Sequence, residues 1–297
     1  MKLQSAAKIN LSLDLLSRRA DGYHKLASVV HTVGLYDEIE LQLTRDDRVT
    51  VSCADAELCG ESNLCARAVR VWNRFTGDNY GARIRLHKNI PTGAGLGGGS
   101  GNAAAILVAL QRASSLAISD GALEKIGAQL GADVPLFIRG GAQRMEGIGE
   151  RLTPLTPLAG WVILVKPAVS LATPPMYRAW DESQLPSENA TPALLQAWQK
   201  GDLSAIASVI GNDFARVVDE LTPMPARCVA MLKQVGALGA QMSGSGSACF
   251  GLFADETTAR RAQQQLEIEL AKDVPTQGAT TFVAPLVARG VELTESP

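Results

Sequence analysis

Residues 6–15, AAKINLSLDL, alternate cleanly: Ala7, Ile9, Leu11, Leu13 and Leu15 fall on one side of an extended chain, and Lys8, Asn10, Ser12 and Asp14 on the other. Period-two alternation predicts an antiparallel-type strand with one face on a core. The polar face has two readings, contact with water or contact with a ligand. Lys8 and Asn10, two residues apart on that face, suit the second. A turn signal at Asp21-Gly22 follows, with Tyr23 and His24 immediately after it. Two shorter runs, DEIELQLT (37–44) and DRVTVSCA (47–54), are separated by charged turn residues and predict a β-hairpin. Residues 61–75, ESNLCARAVRVWNRF, change to a helical period, with Leu64, Ala68, Val71, Trp72 and Phe75 on one face and Ser62 or Asn63 as the cap.

The next strand-like run, GARIRLHKNI (81–90), alternates Ala82, Ile84 and Leu86 with Arg83, Arg85 and His87. It leads into PTGAGLGGGSG (91–101) and then the most apolar helical run of the chain, NAAAILVALQRA (102–113). Gly93, Gly95 and Gly98 spell a literal G-x-G-x-x-G. The context does not fit a dinucleotide fold, whose first strand is central and continuously apolar. A lysine-containing Walker loop is absent as well, because no lysine precedes Ser100. The physical content remains: five glycines in seven residues opening a helix near Gly101 or Asn102. Such a segment brings backbone N–H groups and a helix N-terminus to an anion, and phosphate binding is the expected use, with a flexible linker as the bland alternative. Asp133, two before Pro135 in GADVPLF (131–137), is either a plain helix cap or a carboxylate at the mouth of a turn. A second glycine-serine cluster, MSGSGSACF (242–250), gains meaning only if it partners the first.

Composition narrows the class. The chain has 297 residues, 46% hydrophobic and 20% charged, with a net charge of -2, which fits a globular protein and argues against a nucleic-acid partner. Five cysteines without a C-x-x-C pair read as free thiols of a cytoplasmic protein. Lys8 and Asp14 interrupt the apolar residues of the N-terminus, so neither a signal segment nor a membrane span is expected.

In order, AKINL, RADGYH, GLGGGS, GADVPLF, EGIGERLTPL and MSGSGSACF resemble the GHMP kinase superfamily of galactokinase, homoserine kinase, mevalonate kinase and phosphomevalonate kinase. The resemblance spans nearly the whole chain. It is nearest to the branch that phosphorylates the 2-hydroxyl of a cytidine-diphosphate-linked methylerythritol in non-mevalonate isoprenoid synthesis. It implies an α+β fold of two domains with the active site in the cleft: residues 1–156, ribosomal protein S5 domain 2-like, and residues 157–297, ferredoxin-like. It implies Asp133 as the base that accepts the hydroxyl proton, with Lys8 beside it. ATP would be held by Pro91, Thr92, Gly93, Ala94, Gly95, Leu96, Gly97, Gly98, Gly99, Ser100 and Gly101, with Asn63, Leu64 and Lys88 near the adenine, and Mg2+ would bridge the phosphates. Asn10, Tyr23, His24, Thr173 and Tyr177 would meet the substrate, Tyr23 and Tyr177 sandwiching the cytosine. The chain departs from the family at Gly101, where a second serine is commoner, and Gly101 is expected to supply a backbone donor instead. No metal ligand stands out, and the oligomeric state is not legible. Another small-molecule kinase of the superfamily and a catalytically idle nucleotide-binding protein stay open beside this reading.

Overall fold

The computed structural model describes residues 1–20 and 22–295, so Asp21 of the expected Asp21-Gly22 turn lies outside the described residues. Three strands open the chain, β1 (Lys2–Arg18), β2 (His24–Thr44) and β3 (Val49–Cys53). Helix α1 (Leu64–Thr76) and strand β4 (Gly81–His87) follow, and the glycine segment then leads into α2 (Gly98–Ala113), α3 (Asp120–Ala128) and α4 (Val134–Arg139). Strands β5 (Ala142–Gly147) and β6 (Arg151–Leu155) close the first half. The second half runs β7 (Trp161–Lys166), α5 (Thr173–Ser183), α6 (Ala190–Trp198), α7 (Leu203–Ala207), β8 (Gly211–Asn212) and α8 (Met224–Gln234). It ends with β9 (Gly239–Met242), β10 (Cys249–Phe253), α9 (Glu256–Lys272), β11 (Thr280–Pro285) and β12 (Val291–Glu295).

Two sheets result. One has the order β12-β1-β2-β4-β3, with β5 and β6 joined through β2 and β8 against β1; the other has the order β11-β7-β10-β9. The expected hairpin of residues 37–54 does not form: β4 lies between β2 and β3, antiparallel to the first and parallel to the second. The reason is α1. A parallel pair needs a crossover, and α1 supplies it while burying Cys65, Ala66, Ala68, Val69 and Trp72. The β2–β4 register also sets Ile39 against Leu86 and Leu41 against Ile84, so one face is continuously apolar.

Strand β1 is buried on both faces. Its apolar residues Ala7, Ile9 and Leu11 join a cluster with Val29, Val162, Leu164, Phe250 and Leu252, which draws on both halves of the chain. The polar face is just as dry: Lys8 is 6% exposed, Asn10 3%, Ser12 0% and Asp14 1%. The second half covers it. The Asp14 carboxylate accepts from Ala190 N and Thr191 N at 2.8 and 2.9 Å, which pins the start of α6 to β1. Asp213 accepts from Leu15 N at 2.7 Å. Water is therefore not what this face meets.

His31, on β2, is a structural histidine. Its ring is fully buried; Nε2 accepts from Leu158 N at 3.0 Å, which leaves Nδ1 to donate to Thr32 O at 2.9 Å. Burial pushes its pKa down from 6.5 to about 4. A depressed folded value means the unfolded chain takes up the proton first. The stabilisation is thus complete above 6.5 and is lost as pH falls through about 4. The expected loss is on the order of 3 kcal/mol. Denaturant titrations from neutral pH to about pH 4 check it; the slope attributable to this group vanishes in His31→Gln.

Candidate active site

Strand β1 carries Lys8 to the base of the glycine segment, where its own N–H donates to Leu96 O at 3.0 Å. The ammonium donates to Asn10 Oδ1 at 2.6 Å and lies 3.8 Å from Asp133 Oδ2. Asp133 occupies the N-cap position of α4, followed by Pro135, yet its side chain makes no capping hydrogen bond within the described residues. The carboxylate is therefore available for chemistry. The Asp133 side chain is 33% exposed, while the Lys8 side chain is buried, so a polar molecule reaches Asp133 from outside and meets an ammonium held in place behind it.

The glycine segment lines a cavity of about 480 Å³ together with Asn63, Leu64 and Lys88. Gly93, Gly95 and Gly97 have φ of 62°, 76° and 72°. These left-handed conformations let the backbone fold tightly without side-chain strain. Helix α2 starts earlier than expected, at Gly98, with Gly97 as its cap. Packing of its buried face from Gly101 to Leu107 outweighs the poor helix propensity of glycine. The N–H groups of Gly98, Gly99 and Ser100 are then first-turn donors without intrahelical acceptors, on residues that line the cavity.

Gly101 differs from expectation. Its N–H donates to Gly97 O at 3.0 Å inside the helix, and the residue is not among those lining the cavity. A Cβ at Gly101 would come within 3.1 Å of Ala6 O, so the missing side chain lets α2 lie close on β1. Gly101 is a packing glycine.

The second glycine-serine cluster locks onto the first. Ser243 Oγ donates to Gly95 O at 3.1 Å, Ala248 N donates to Ala94 O at 3.1 Å, and Asn10 N donates to Ser243 Oγ at 3.3 Å. A Cβ on Gly244 would stand 3.4 Å from both Lys8 Nζ and Asn10 Oδ1, so this glycine leaves the space beside the ammonium open.

The residues expected at the acceptor end divide into three groups. Tyr177, on α5, stacks on His24 at 5.0 Å and 21°, and sets its edge on Phe214 at 4.9 Å. Its phenol is pushed up by burial first and by the charge of Asp133 second. Tyr23, next to His24 in sequence, is 64% exposed. Asn10 is braced on both sides: its Nδ2 donates to Ser28 Oγ at 2.9 Å and its Oδ1 holds Lys8. Thr173 pairs with Ser245 through their hydroxyls at 2.9 Å, on the side of the second glycine-serine cluster.

Two carboxylates escaped the sequence reading. Asp181 contacts His24 Nε2 at 2.7 Å from 157 residues away in sequence. Asp37, the first residue of the strand-like run 37–44, lies fully buried in β2 and binds Lys88. Among the described residues, no three His, Cys, Asp or Glu side chains converge to hold a metal ion. Nor is any helix long and apolar enough to cross a membrane.

Residues 63–141 match the GHMP kinases N terminal domain, and residues 192–272 match the GHMP kinases C terminal. The chain belongs to the GHMP kinase family. The first match contains the glycine segment and Asp133, and the second contains the Ser243 cluster that locks onto it. This GHMP kinase is 38% identical over 270 residues to a 4-diphosphocytidyl-2-C-methyl-D-erythritol kinase of Alkaliphilus metalliredigens, covering 90% of this chain and 93% of that protein. A Symbiobacterium thermophilum protein of the same name is 39% identical over 269 residues, covering 90% and 95%. A solved 4-(cytidine 5'-diphospho)-2C-methyl-D-erythritol kinase superimposes with a TM-score of 0.80 at 31% identity, covering 96% and 99%. A homoserine kinase from Cytophaga hutchinsonii gives a TM-score of 0.78 at 19% identity, a likeness of fold alone. As a kinase of this family, the protein uses ATP.

Proposed function

We propose that this GHMP kinase transfers the γ-phosphoryl group of ATP to the 2-hydroxyl of 4-diphosphocytidyl-2-C-methyl-D-erythritol, giving the 2-phosphate and ADP in non-mevalonate isoprenoid synthesis. One observation carries the choice of acceptor: relatives with that name match about nine-tenths of the chain at 38–39% identity. The geometry supports the reaction class. Asp133 takes the hydroxyl proton as the oxygen attacks the γ-phosphorus. The bond to the bridging oxygen breaks, and ADP leaves with the electron pair. Lys8 offsets the charge that gathers between acceptor and phosphate, and Asn10 keeps its ammonium on that line. The first-turn N–H groups of α2 receive the phosphate oxygens. Mg2+ enters as part of the nucleotide substrate, held by its phosphates, which suits an ion that is usually bound through phosphates rather than by an all-protein cage.

The Tyr177–His24 stack is the proposed seat of the cytosine, with the exposed Tyr23, next to His24 in sequence, as its second aromatic ring. Tyr177→Ala is expected to raise KM for the cytidyl acceptor about tenfold or more and to leave KM for ATP unchanged; steady-state kinetics with each substrate varied in turn check this. The same reading makes this a cytoplasmic enzyme of small molecules. Phosphorus NMR of the product tests the assigned hydroxyl. The methyl-bearing carbon has no hydrogen, so an ester there shows no three-bond coupling to a carbon-bound proton. A new monophosphate resonance split by such a proton would place the phosphate on a different hydroxyl and overturn the assignment.

A further inference from the structure

Beneath the glycine segment lies a buried ion pair that the chemistry above does not use. The Asp37 side chain has no exposed surface, and Lys88 is 13% exposed. Their carboxylate and ammonium are in contact. Asp37 Oδ1 also accepts from Asn89 N and Ile90 N, both at 2.9 Å, and Oδ2 accepts from Asn102 Nδ2 at 2.9 Å. Asn102 Oδ1 in turn accepts from Lys88 Nζ at 3.0 Å. Asn89 and Ile90 immediately precede the glycine segment, and Asn102 lies in α2 just beyond it. One carboxylate thus ties down both ends of the loop. A Cβ on Gly98 would sit 3.1 Å from Lys88 Nζ and 3.3 Å from Asp37 Oδ2, which puts the pair directly under the first turn of α2.

We propose that Asp37 and Lys88 form a charge-neutral positioning unit for the nucleotide loop, in which Lys88 acts on ATP through Asp37 rather than as a direct ligand of the nucleotide. The proposal rests on the reading of the glycine segment as the ATP site. Its logic is electrostatic. A bare carboxylate under the first-turn N–H groups would repel the phosphates these groups must receive, and burial leaves it little screening. Lys88 cancels that charge. Asp37 in return keeps the lysine from reaching the phosphates, while its remaining lone pairs hold the loop ends in register.

A double-mutant cycle on the full chain separates the two roles of Lys88. Lys88→Met strands the Asp37 charge and is expected to raise KM for ATP more than tenfold, roughly, with KM for the cytidyl acceptor unchanged. Asp37→Asn/Lys88→Met removes both charges and is expected to bring KM for ATP back to within about tenfold of the wild-type value, a recovery that loss of a direct lysine–nucleotide contact would not allow. A double variant as weak as Lys88→Met, or weaker, overturns the proposal, as do KM values for both substrates rising together. Should Lys88→Met fail to fold, the double variant decides alone. KM for ATP within about tenfold of the wild-type value supports action through Asp37, and a larger rise contradicts it. Wild-type protein without ATP-dependent turnover would instead remove the underlying reading of the loop.

Discussion

Asp133→Asn is expected to lower kcat by roughly a thousandfold, the range in which a positioned general base contributes. KM for ATP should stay within about twofold, because Asp133 does not line the glycine-segment cavity. The substitution is nearly isosteric, and the side chain it replaces makes no capping bond within the described residues, so thermal stability should hardly change. Turnover by rapid quench, nucleotide affinity by calorimetry and a melting curve on one preparation check the three parts together. Near-normal turnover would leave Lys8 and the loop as the whole machinery and remove the base.

Gly95→Ala has the second large effect, and it is expected to appear in both stability and binding. A Cβ there would stand 2.3 Å from Ser243 O and 3.1 Å from Gly246 O, at a backbone φ of 76°. The left-handed conformation alone costs about 1–2 kcal/mol for a non-glycine residue, and the clash is with backbone that cannot rotate away. The two glycine clusters must part. Because Ser243 also binds Asn10 N, and Asn10 holds Lys8, the shift reaches the ammonium. The expected result is a loss of about 3 kcal/mol in stability and at least a tenfold rise, roughly, in KM for ATP. Gly121→Ala is the control. Nothing lies within 4 Å of its Cβ, φ is ordinary, and it sits in α3, so it should be neutral or slightly stabilising.

Much of this site can be read directly from the chain. The alternation around Lys8, the glycine run before an apolar helix, and an aspartate two before Pro135 are local patterns, and local patterns survive folding when packing agrees with them. Lys8 and Asp133 do meet. What escaped the sequence was decided by distant partners. The hairpin of residues 37–54 is locally plausible, but α1 needs a sheet face to cover, and β4 takes the place between the two strands. Asp37 stands at the start of a strand-like run, and its burial depends on the residues after β4 and on α2 closing over it. Asp181 gains its meaning only when α5 is laid across the start of β2. Asn10 shares the polar face with Lys8, as the alternation predicts, while its bond to Ser28 depends on how β2 pairs with β1.

The account stands most directly on one measurement: ADP release by the purified protein with Mg-ATP, offered the cytidyl-methylerythritol compound, homoserine, mevalonate or galactose in separate reactions. Turnover with the cytidyl compound alone is the predicted result. Turnover with one of the others instead would keep the ATP loop and Asp133 but contradict the acceptor assigned to the Tyr177–His24 stack, and ATP binding without turnover in any reaction would contradict the enzyme itself.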